Sequence, residues 1–347
     1  MSRAFCLDVM LAFLMLVIMS PTIGTADDAP PTTSKMVLIV GSPGSEEYDQ
    51  MFALWAEQWR EVAKQANAEL VEIGVATDGE TSDLELLQSA IAKSAQEKES
   101  RPLWLVFVGH GTFQLNVAKF NLRGPDVTPS QMAQWLKPVE APVVIVNTAS
   151  ASGPFVNALS GPGRVIVTAT KSGQEQNFAR FGAYLPKALT DTSADLDHDD
   201  EVSLLEAVIK ASAETQQFYT SDARILTENA MIDDNGDQLG TPATTLRSKL
   251  LGAPSAAAEV AAGKATSSPD GDVAAKTILI PSSASPVLLP EELEERDRLE
   301  GEILMLRRKK STLSEADYYQ QIEQKMLALA AIYEAAENRA QSPPSSP

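Results

Sequence analysis

Residues 143–153 read Val-Val-Ile-Val-Asn-Thr-Ala-Ser-Ala-Ser-Gly, and this stretch decides the fold. Its first four residues are apolar and β-branched, which is typical of a strand buried on both faces of a parallel sheet. Small polar residues follow, and the stretch ends at Gly153. Because open parallel α/β sheets build their sites at the carboxyl ends of strands, Ser150 lies where a nucleophile is expected.

A second apolar run, residues 103–108, ends in Gly-His-Gly, and His110 is one of two histidines in the chain. Outward from these runs, apolar strands alternate with helices whose apolar residues recur every three or four positions. This order predicts an α/β fold, a doubly wound and mostly parallel sheet flanked by helices, over residues 36–250. The predicted strands are 36–40, 70–75, 103–108, 143–146 and 165–168 with a side strand at 117–122, and the predicted helices are 45–66, 84–95, 128–136 and 202–219.

The two strand ends together carry a family resemblance. The His-Gly pair at 110–111 and the Ala-Ser-Ala-Ser-Gly loop at 149–153 resemble the caspase/legumain class (clan CD) of cysteine peptidases, in which the second motif is Cys-x-Ser-Gly. Ser150 stands where that class has its nucleophilic cysteine. The resemblance, which covers about residues 36–240, implies a caspase-like fold and His110 as general base. It also implies that the backbone N–H groups of Ser150 and Gly111 face the oxyanion.

Two further loops are similar to loops of this class. Residues 40–48 resemble the Gly-Ser-x-Gly…Tyr stretch of legumains, and residues 171–182 resemble a loop of bacterial caspase-like domains. In legumains an arginine follows the tyrosine and helps to bind the substrate's asparagine side chain, whereas Asp49 follows here. The resemblance implies that Ser42, Asp49 and Ser152 bind substrate, and a carboxylate at 49 favours a basic side chain. Alternatively, Asp49 is a solvated residue of the first helical turn.

Serine in place of cysteine changes the chemistry expected at this site. A thiol with a pKa of about 8.5 can be held as thiolate beside a histidine, whereas a serine hydroxyl must lose its proton as it attacks. Three interpretations of Ser150 stay open: an active serine-dependent peptidase or hydrolase with a His110–Ser150 dyad, a catalytically impaired or inactive homologue that binds peptide or protein, and a mistaken alignment. The second is the leading hypothesis.

Residues 195–206 have the spacing of a calcium-binding loop, with oxygen donors at alternate positions and at position 12. Asp200 stands where such loops have glycine, although aspartate tolerates the left-handed conformation. Alternatively, this stretch is an acidic helix start capped by Ser203 or Asp199. Residues 233–237, Asp-Asp-Asn-Gly-Asp, lack the distal glutamate and are interpreted as a turn first and a weak metal site second. The predicted Ca²⁺ ligands are Asp195, Asp197, Asp199, Glu201, Ser203 and Glu206.

Charge and the amino-terminal segment indicate the partner class and the compartment. The net charge of −19 disfavours nucleic acid and anionic membranes, and it favours a basic peptide or protein. Residues 1–26 contain an apolar run at 9–19 and are interpreted as a secretory signal, or as a membrane anchor if uncleaved. Either predicts an exported protein, periplasmic, at the bacterial cell envelope or extracellular. Cys6, the only cysteine, lies in this segment, so the mature chain would have no cysteine nucleophile.

The carboxyl-terminal part differs in composition from the α/β part. Residues 251–288 are rich in Ala, Ser, Pro and Gly and are predicted to be a linker in which residues 277–280 pair with another segment. Residues 289–340 predict a helical hairpin or coiled coil, and residues 341–347 a disordered tail. The apolar residues predicted to form the seam are Leu299, Ile303 and Leu306 in the first helix and Tyr319, Ile322, Met326, Leu329 and Tyr333 in the second. The hairpin is either a packing appendage or a surface for homo-oligomerisation. The latter supports a further functional alternative, a calcium-linked assembly scaffold.

Overall fold

A mixed seven-stranded sheet forms the centre of the described part of the chain. The computed structural model describes residues 33–75, 81–97, 101–250, 270–282, 288–308, 310 and 313–341. The predicted signal or anchor at 1–26, residues 251–269 and 283–287 of the predicted linker, and residues 342–347 of the predicted tail lie outside the described residues.

The sheet has the strand order β2-β1-β3-β6-β7-β8-β9, and its first five strands in that order are parallel. β8 and β9 extend it antiparallel at one edge, while β4 and β5 form a separate hairpin. The strands are β1 (Lys35–Val40), β2 (Glu69–Ile73), β3 (Leu103–Val108), β4 (Gly111–Gln114), β5 (Val117–Phe120), β6 (Val143–Asn147), β7 (Arg164–Thr168), β8 (Met231–Asp233) and β9 (Thr241–Pro242).

Helices cover both faces of the sheet, so the predicted doubly wound α/β fold is confirmed. α1, α5, α6 and α7 pack on one face, and α2, α3 and α4 pack on the other. The helices are α1 (Glu46–Gln65), α2 (Asp83–Ser94), α3 (Pro129–Trp135), α4 (Pro154–Leu159), α5 (Leu185–Thr190), α6 (Leu204–Ser221), α7 (Ala243–Leu250), α8 (Pro290–Arg308) and α9 (Glu315–Gln341).

The central strands are apolar because both of their faces are covered. All residues of β3 and β6 are buried, including Asn147 at the end of β6. On α1, Phe52, Trp55 and Trp59 recur at helical spacing and face the sheet. Burying side chains of this size stabilises the fold by about 1.5–3 kcal/mol each. These aromatic residues therefore fix α1 against the sheet and set the position of the loop that precedes it.

The structure corrects the predicted linker over residues 270–282, which pack against the α/β domain. The carboxylate of Asp234 accepts the backbone N–H groups of Gly271, Val273 and Ala274 at 2.7–2.8 Å. Further on, the carbonyl of Thr277 accepts the N–H of Leu204 at the start of α6. Residues 277–280 therefore pair with another segment, the start of α6, as expected. Composition alone was misleading because Ala274 and Leu279 are core residues in this segment.

The helices α8 and α9 form the predicted hairpin. Leu299, Ile303 and Leu306 of α8 are buried, as their spacing predicted. On α9 the buried residues are Tyr318 and Ala336, whereas Tyr319 and Met326, which the sequence placed in the seam, are about half exposed. Homo-oligomerisation through this hairpin stays a prediction.

Across the described ranges, no helix combines the length and the apolar character that crossing a membrane requires.

Candidate functional site

The neighbouring strands β3 and β6 bring His110 and Ser150 to the same edge of the sheet. The two strands pair in parallel, with Phe107 opposite Asn147, so the loops that follow them leave the sheet side by side. Thr148 ties the second loop to the first strand, because its hydroxyl donates to the carbonyl of Phe107 at 2.7 Å. The placement expected from the two sequence motifs is therefore observed.

Gly111 allows the two loops to approach each other closely. A Cβ at this position would lie 2.0 Å from the carbonyl oxygen of Ser150, a distance that no side chain can adopt. Glycine is thus required here for backbone contact between the loops. The hydroxyl of Ser150 takes part in this contact, since its Oγ donates to the carbonyl oxygen of Gly111 at 3.2 Å. In the part of the chain that the structure describes, no hydrogen bond joins Ser150 to His110. Ser150 itself is only 4% exposed.

His110 is held by the loop after β1. Its Nε2 atom lies 3.3 Å from the carbonyl oxygen of Pro43. Because a carbonyl can only accept, Nε2 carries the hydrogen, and Nδ1 is the basic atom of the neutral ring. Burial lowers the pKa of His110 from its ordinary value, and the hydrogen bond to Pro43 opposes that shift. The imidazole is therefore neutral at pH 7 and can act as a base.

Three aromatic side chains surround the imidazole of His110, and we refer to them as the aromatic cluster. The ring centroid of His110 is 4.4 Å from Tyr48, 5.0 Å from Phe52 and 5.6 Å from Phe178. Both Tyr48 and Phe52 come from α1, whereas Phe178 comes from the loop after β7. The sequence assigned Phe52 to the core but gave no signal that it would contact His110.

The loop after β7 is fixed by two buried or half-buried carboxylates that spacing did not single out. Glu228 accepts the backbone N–H groups of Arg180 and Phe181 and the hydroxyl of Tyr219. Burial raises the pKa of Glu228, and these hydrogen bonds oppose the rise. The carboxylate of Glu175 accepts the backbone and side-chain N–H groups of Asn229, the residue after Glu228. The backbone carbonyl of Glu175 accepts the N–H of Ala151. The loop is thereby joined to the Ser150 loop.

The three predicted substrate-binding residues differ in position. Asp49 is exposed in the first turn of α1, and Ser42 is half-buried, with its N–H donating to the carbonyl of Asn121. Ser152 is fully buried, and its hydroxyl shares a hydrogen bond with that of Thr170 at 3.1 Å. This side chain ties the loop after β6 to the loop after β7, and its assignment to substrate binding stays a prediction.

Residues 191–203, which we name the first acidic loop, bring half of the predicted calcium ligands together. Asp195, Asp197 and Asp199 each offer one carboxylate oxygen, and these three atoms lie within 4.8 Å of one another. Asp200 has a φ of +68°, the left-handed conformation expected at the glycine position of such loops. Burial and the nearby carboxylates raise the pKa of Asp199 to about 7. Calcium binding by this loop stays a prediction.

The other three predicted ligands are engaged within the protein. Ser203 and Glu206 form the capping box of α6, as the alternative interpretation of this stretch expected. The buried carboxylate of Glu206 also accepts the backbone N–H of Leu196 at 2.7 Å. Glu201 pairs with Arg296 of α8 at 3.5 Å. Glu206 nevertheless lies beside the cluster, because its Oε1 also accepts the backbone N–H of Asp197 at 3.3 Å. Calcium coordination by Glu201, Ser203 and Glu206 stays a prediction.

Residues 233–240, which we name the second acidic loop, follow β8. Asp233 and Asp237 of this loop each offer a carboxylate oxygen, and Asp270 of the 270–282 segment offers a third. The three oxygen atoms lie within 4.8 Å of one another. Sequence reasoning missed Asp270 because it is 33 residues beyond Asp237 along the chain, in a stretch whose composition predicted a linker.

Comparison with known proteins gives similarity at the level of structure. No family model matches the chain, and no curated protein matches it. The structure is similar to the Drosophila initiator caspase Dronc, with 16% identity, a TM-score of 0.39, and coverage of 68% of this chain and 96% of that chain. It is also similar to caspase-1 from Spodoptera frugiperda, with 10% identity, a TM-score of 0.39, and coverage of 58% and 86%.

A third similar structure is Raptor from Chaetomium thermophilum, with 10% identity, a TM-score of 0.32, and coverage of 45% of this chain and 17% of that chain. The first two of these structures are caspases.

Proposed function

We propose that this chain is an exported, peptidase-like domain that binds a peptide at the carboxyl edge of β3 and β6 without hydrolysing it efficiently. The observation that carries the proposal is the hydrogen bond from Ser150 Oγ to the carbonyl oxygen of Gly111. A serine hydroxyl that donates to a carbonyl is not activated, because a carbonyl cannot take its proton. Attack on a peptide would require Ser150 to leave this bond and reach His110 first.

The binding part of the proposal rests on the groups that surround this hydrogen bond. The half-buried rings of Tyr48 and Phe178 in the aromatic cluster offer apolar surface for a side chain. The first turn of α1 adds the carboxylates of Glu46, Glu47 and Asp49. The backbone N–H of Ser150 forms no hydrogen bond with any described residue, so it can donate to a peptide carbonyl. With a net charge of −19, the protein attracts a basic peptide over distances beyond contact.

A serine-dependent hydrolase is the second candidate, and the tautomer of His110 favours it. The Pro43 carbonyl leaves Nδ1 as the proton acceptor, which is the state a general base needs. Activity would require the Ser150 hydroxyl to leave the Gly111 carbonyl and to donate to Nδ1 of His110. The two candidates therefore differ in whether Ser150 ever transfers its proton to His110.

Hydrolysis of fluorogenic peptides that vary at the residue before the cleaved bond separates the candidates. The assay compares wild type with Ser150→Ala, Ser150→Cys and His110→Gln, with and without calcium. We expect no cleavage by wild type and measurable cleavage by Ser150→Cys, because a thiol is acidic enough to be activated by a neutral histidine. Cleavage by wild type that is lost in both Ser150→Ala and His110→Gln would establish the hydrolase instead.

Peptide binding is measured separately, by titrating non-cleavable peptides that carry lysine or glutamate at the same position. We expect the lysine peptide to bind more tightly, and Asp49→Asn to remove most of that preference. Glu61→Gln is the matched control, since Glu61 is an exposed carboxylate near the opposite end of α1. Equal binding of both peptides to wild type would contradict the proposed preference for basic side chains.

A further inference from the structure

The second acidic loop and the 270–282 segment meet at three carboxylates. Asp233 ends β8, Asp237 follows in the loop, and Asp270 begins the segment. Their three nearest carboxylate oxygens lie within 4.8 Å of one another. Side chains that carry the same charge do not gather in this way without compensation, because their mutual repulsion and the loss of hydration both raise the free energy of the folded state.

Asp233 lacks compensation for one of its oxygen atoms. Its side chain is 0% exposed, and Oδ1 accepts the hydroxyl of Ser160 at 2.8 Å. Oδ2 is buried as well and accepts no hydrogen bond of good geometry from the described residues, although the backbone N–H of Gly236 is close enough to the carboxylate to oppose the rise of its pKa. Leaving a buried acceptor without a partner costs about 1–3 kcal/mol, and more when the group is charged. The carboxylate with this unsatisfied oxygen is one of the three that converge.

Basic side chains do not neutralise the loop side of this cluster. Within the described residues, neither Asp233 nor Asp237 forms an ion pair with lysine or arginine. Asp237 instead accepts the backbone N–H of Leu239 and a side-chain amide hydrogen of Asn235. Asp270 accepts the backbone N–H of Asp234 and, at 2.5 Å, the hydroxyl of Thr241. The contacts that Asp233 and Asp237 make with described residues orient these two carboxylates, and none of them carries a positive charge.

We propose that Asp233, Asp237 and Asp270 bind one calcium ion. Calcium–oxygen bonds are about 2.3–2.6 Å long, so two oxygens on the same ion lie up to about 5 Å apart, which agrees with the observed spread. Calcium accepts six to eight oxygen ligands, and water completes a shell that three carboxylates begin. Because Asp237 is exposed while Asp233 and Asp270 are buried, the ion reaches the buried pair from the solvent on the Asp237 side.

The proposed ion joins two parts of the chain that are distant in sequence. Asp234, next to Asp233, already holds the 270–282 segment through three backbone N–H groups. An ion bound to both Asp233 and Asp270 adds a second attachment at the first residue of that segment. Calcium therefore stabilises the docking of the 270–282 segment, which precedes α8 in the chain. This inference does not depend on peptide binding or on catalysis.

Calcium titration of the full chain, purified with a chelator, tests the site by calorimetry and by thermal unfolding. Asp237→Asn removes a ligand that is exposed, and its circular dichroism and its melting temperature in chelator are expected to match wild type. We expect this substitution to weaken calcium binding at the site at least tenfold, and to abolish the calcium-induced rise in melting temperature assigned to it. Asp199→Asn in the first acidic loop is the matched control and is expected to keep that rise.

The proposal would be overturned by calcium binding and stabilisation in Asp237→Asn that equal those of wild type. A calcium-induced rise that is lost in Asp199→Asn but kept in Asp237→Asn would also overturn it, because the ion would then bind the first acidic loop. Equal stabilisation by magnesium alone would overturn the assignment to calcium. Hydrogen exchange of residues 271–274 provides an independent readout, with slower exchange expected when calcium is added to wild type.

Discussion

The two acidic loops are both rich in aspartate but differ in how their charge is balanced. At the first loop, Lys210 of α6 pairs with Asp191, and Arg296 of α8 pairs with Glu201. At the second loop, Asp233 and Asp237 have no basic partner among the residues that the structure describes. The first loop is thus partly neutralised by the protein itself, whereas the second presents buried carboxylates with an unsatisfied oxygen.

The difference shows what ligand spacing can and cannot predict. The first loop matches a calcium pattern in sequence, yet three of its six predicted ligands are used for capping or ion pairing. The second loop has a poorer pattern, yet the fold supplies Asp270 to it from a distant segment. Spacing identifies donors that are close along the chain, but it does not tell whether the folded protein has already engaged them.

Each loop is held by its own buried carboxylate, which accepts backbone N–H groups. Removing either carboxylate should have the largest effect on stability. We expect Glu206→Ala and Asp234→Ala each to lower the free energy of unfolding by about 3–5 kcal/mol, because several buried donors lose their acceptor. Urea denaturation in chelator measures this loss without a contribution from metal. Losses below about 1 kcal/mol would mean that water replaces these carboxylates readily.

The backbone conformation of the two loops predicts effects of opposite sign. Asp200 has a φ of +68°, and Asp200→Gly should raise the free energy of unfolding by about 0.5 kcal/mol by relieving strain. Gly236 has a φ of +79°, and a Cβ there would lie 3.3 Å from the backbone of Gly161. Gly236→Ala should therefore lower the free energy of unfolding by about 1–2 kcal/mol. Thermal unfolding of both variants checks the signs. A loss of stability in Asp200→Gly would contradict the argument from strain.

The ion pair between Lys210 of α6 and Asp191 of the first loop predicts that stability depends on pH. The pKa of Asp191 is lowered from 3.8 to about 2, mainly by the hydrogen bond from Lys210 and to a smaller extent by those from the N–H and hydroxyl of Ser193. Because the pKa of Asp191 is lower in the folded protein than in the unfolded chain, its carboxylate stabilises the fold when the pH is above the unfolded-chain pKa. This stabilisation is lost as the pH falls from about 4 to about 2. Since Asp191 is 46% exposed, solvent screening limits the effect to about 1 kcal/mol.

Carboxyl NMR titration measures the midpoint of Asp191 directly, and Lys210→Met is the control. The substitution should move the midpoint upward, toward 3.8. A midpoint that does not move in Lys210→Met would show that the backbone and hydroxyl of Ser193, rather than the ammonium group, hold the carboxylate in its charged form.

The contact between the first loop and α8 should contribute modestly to stability. A double-mutant cycle with Glu201→Gln and Arg296→Gln is expected to yield a coupling of about 0.5–1 kcal/mol in urea denaturation, because both side chains are mostly buried. Arg298 and Glu302, an exposed pair within α8, serve as the reference cycle and should give a smaller coupling. Equal couplings in the two cycles would mean that burial adds nothing to the contact.

The sequence predicted the parts of the fold whose signals are local. Apolar runs located β1, β3, β6 and β7, and helical spacing located α1, because each of these elements is long and lies against the core. The six-residue helices α4 and α5 were missed, since so short a segment shows no periodicity. β8 and β9 were missed for the same reason, and the second acidic loop therefore lacked its structural context.

The candidate site was predictable in position but not in detail. Strand-end reasoning brought His110 and Ser150 to one edge, as the pairing of β3 with β6 shows. The hydrogen bonds of these two residues go to the carbonyls of Gly111 and Pro43, and backbone groups carry no sequence signal. Phe178 contacts His110 from 68 residues away, and only the folded chain reveals it.

The docking of the 270–282 segment has a consequence for the integrity of the molecule. Asp234 holds the start of this segment, and Leu204 and Ser203 at the start of α6 bind residues 277–278. A peptide bond broken between residues 250 and 270 would therefore not separate the two fragments. The protein would persist as a noncovalent two-chain complex, in which the carboxyl-terminal chain completes the core of the amino-terminal one with Ala274 and Leu279.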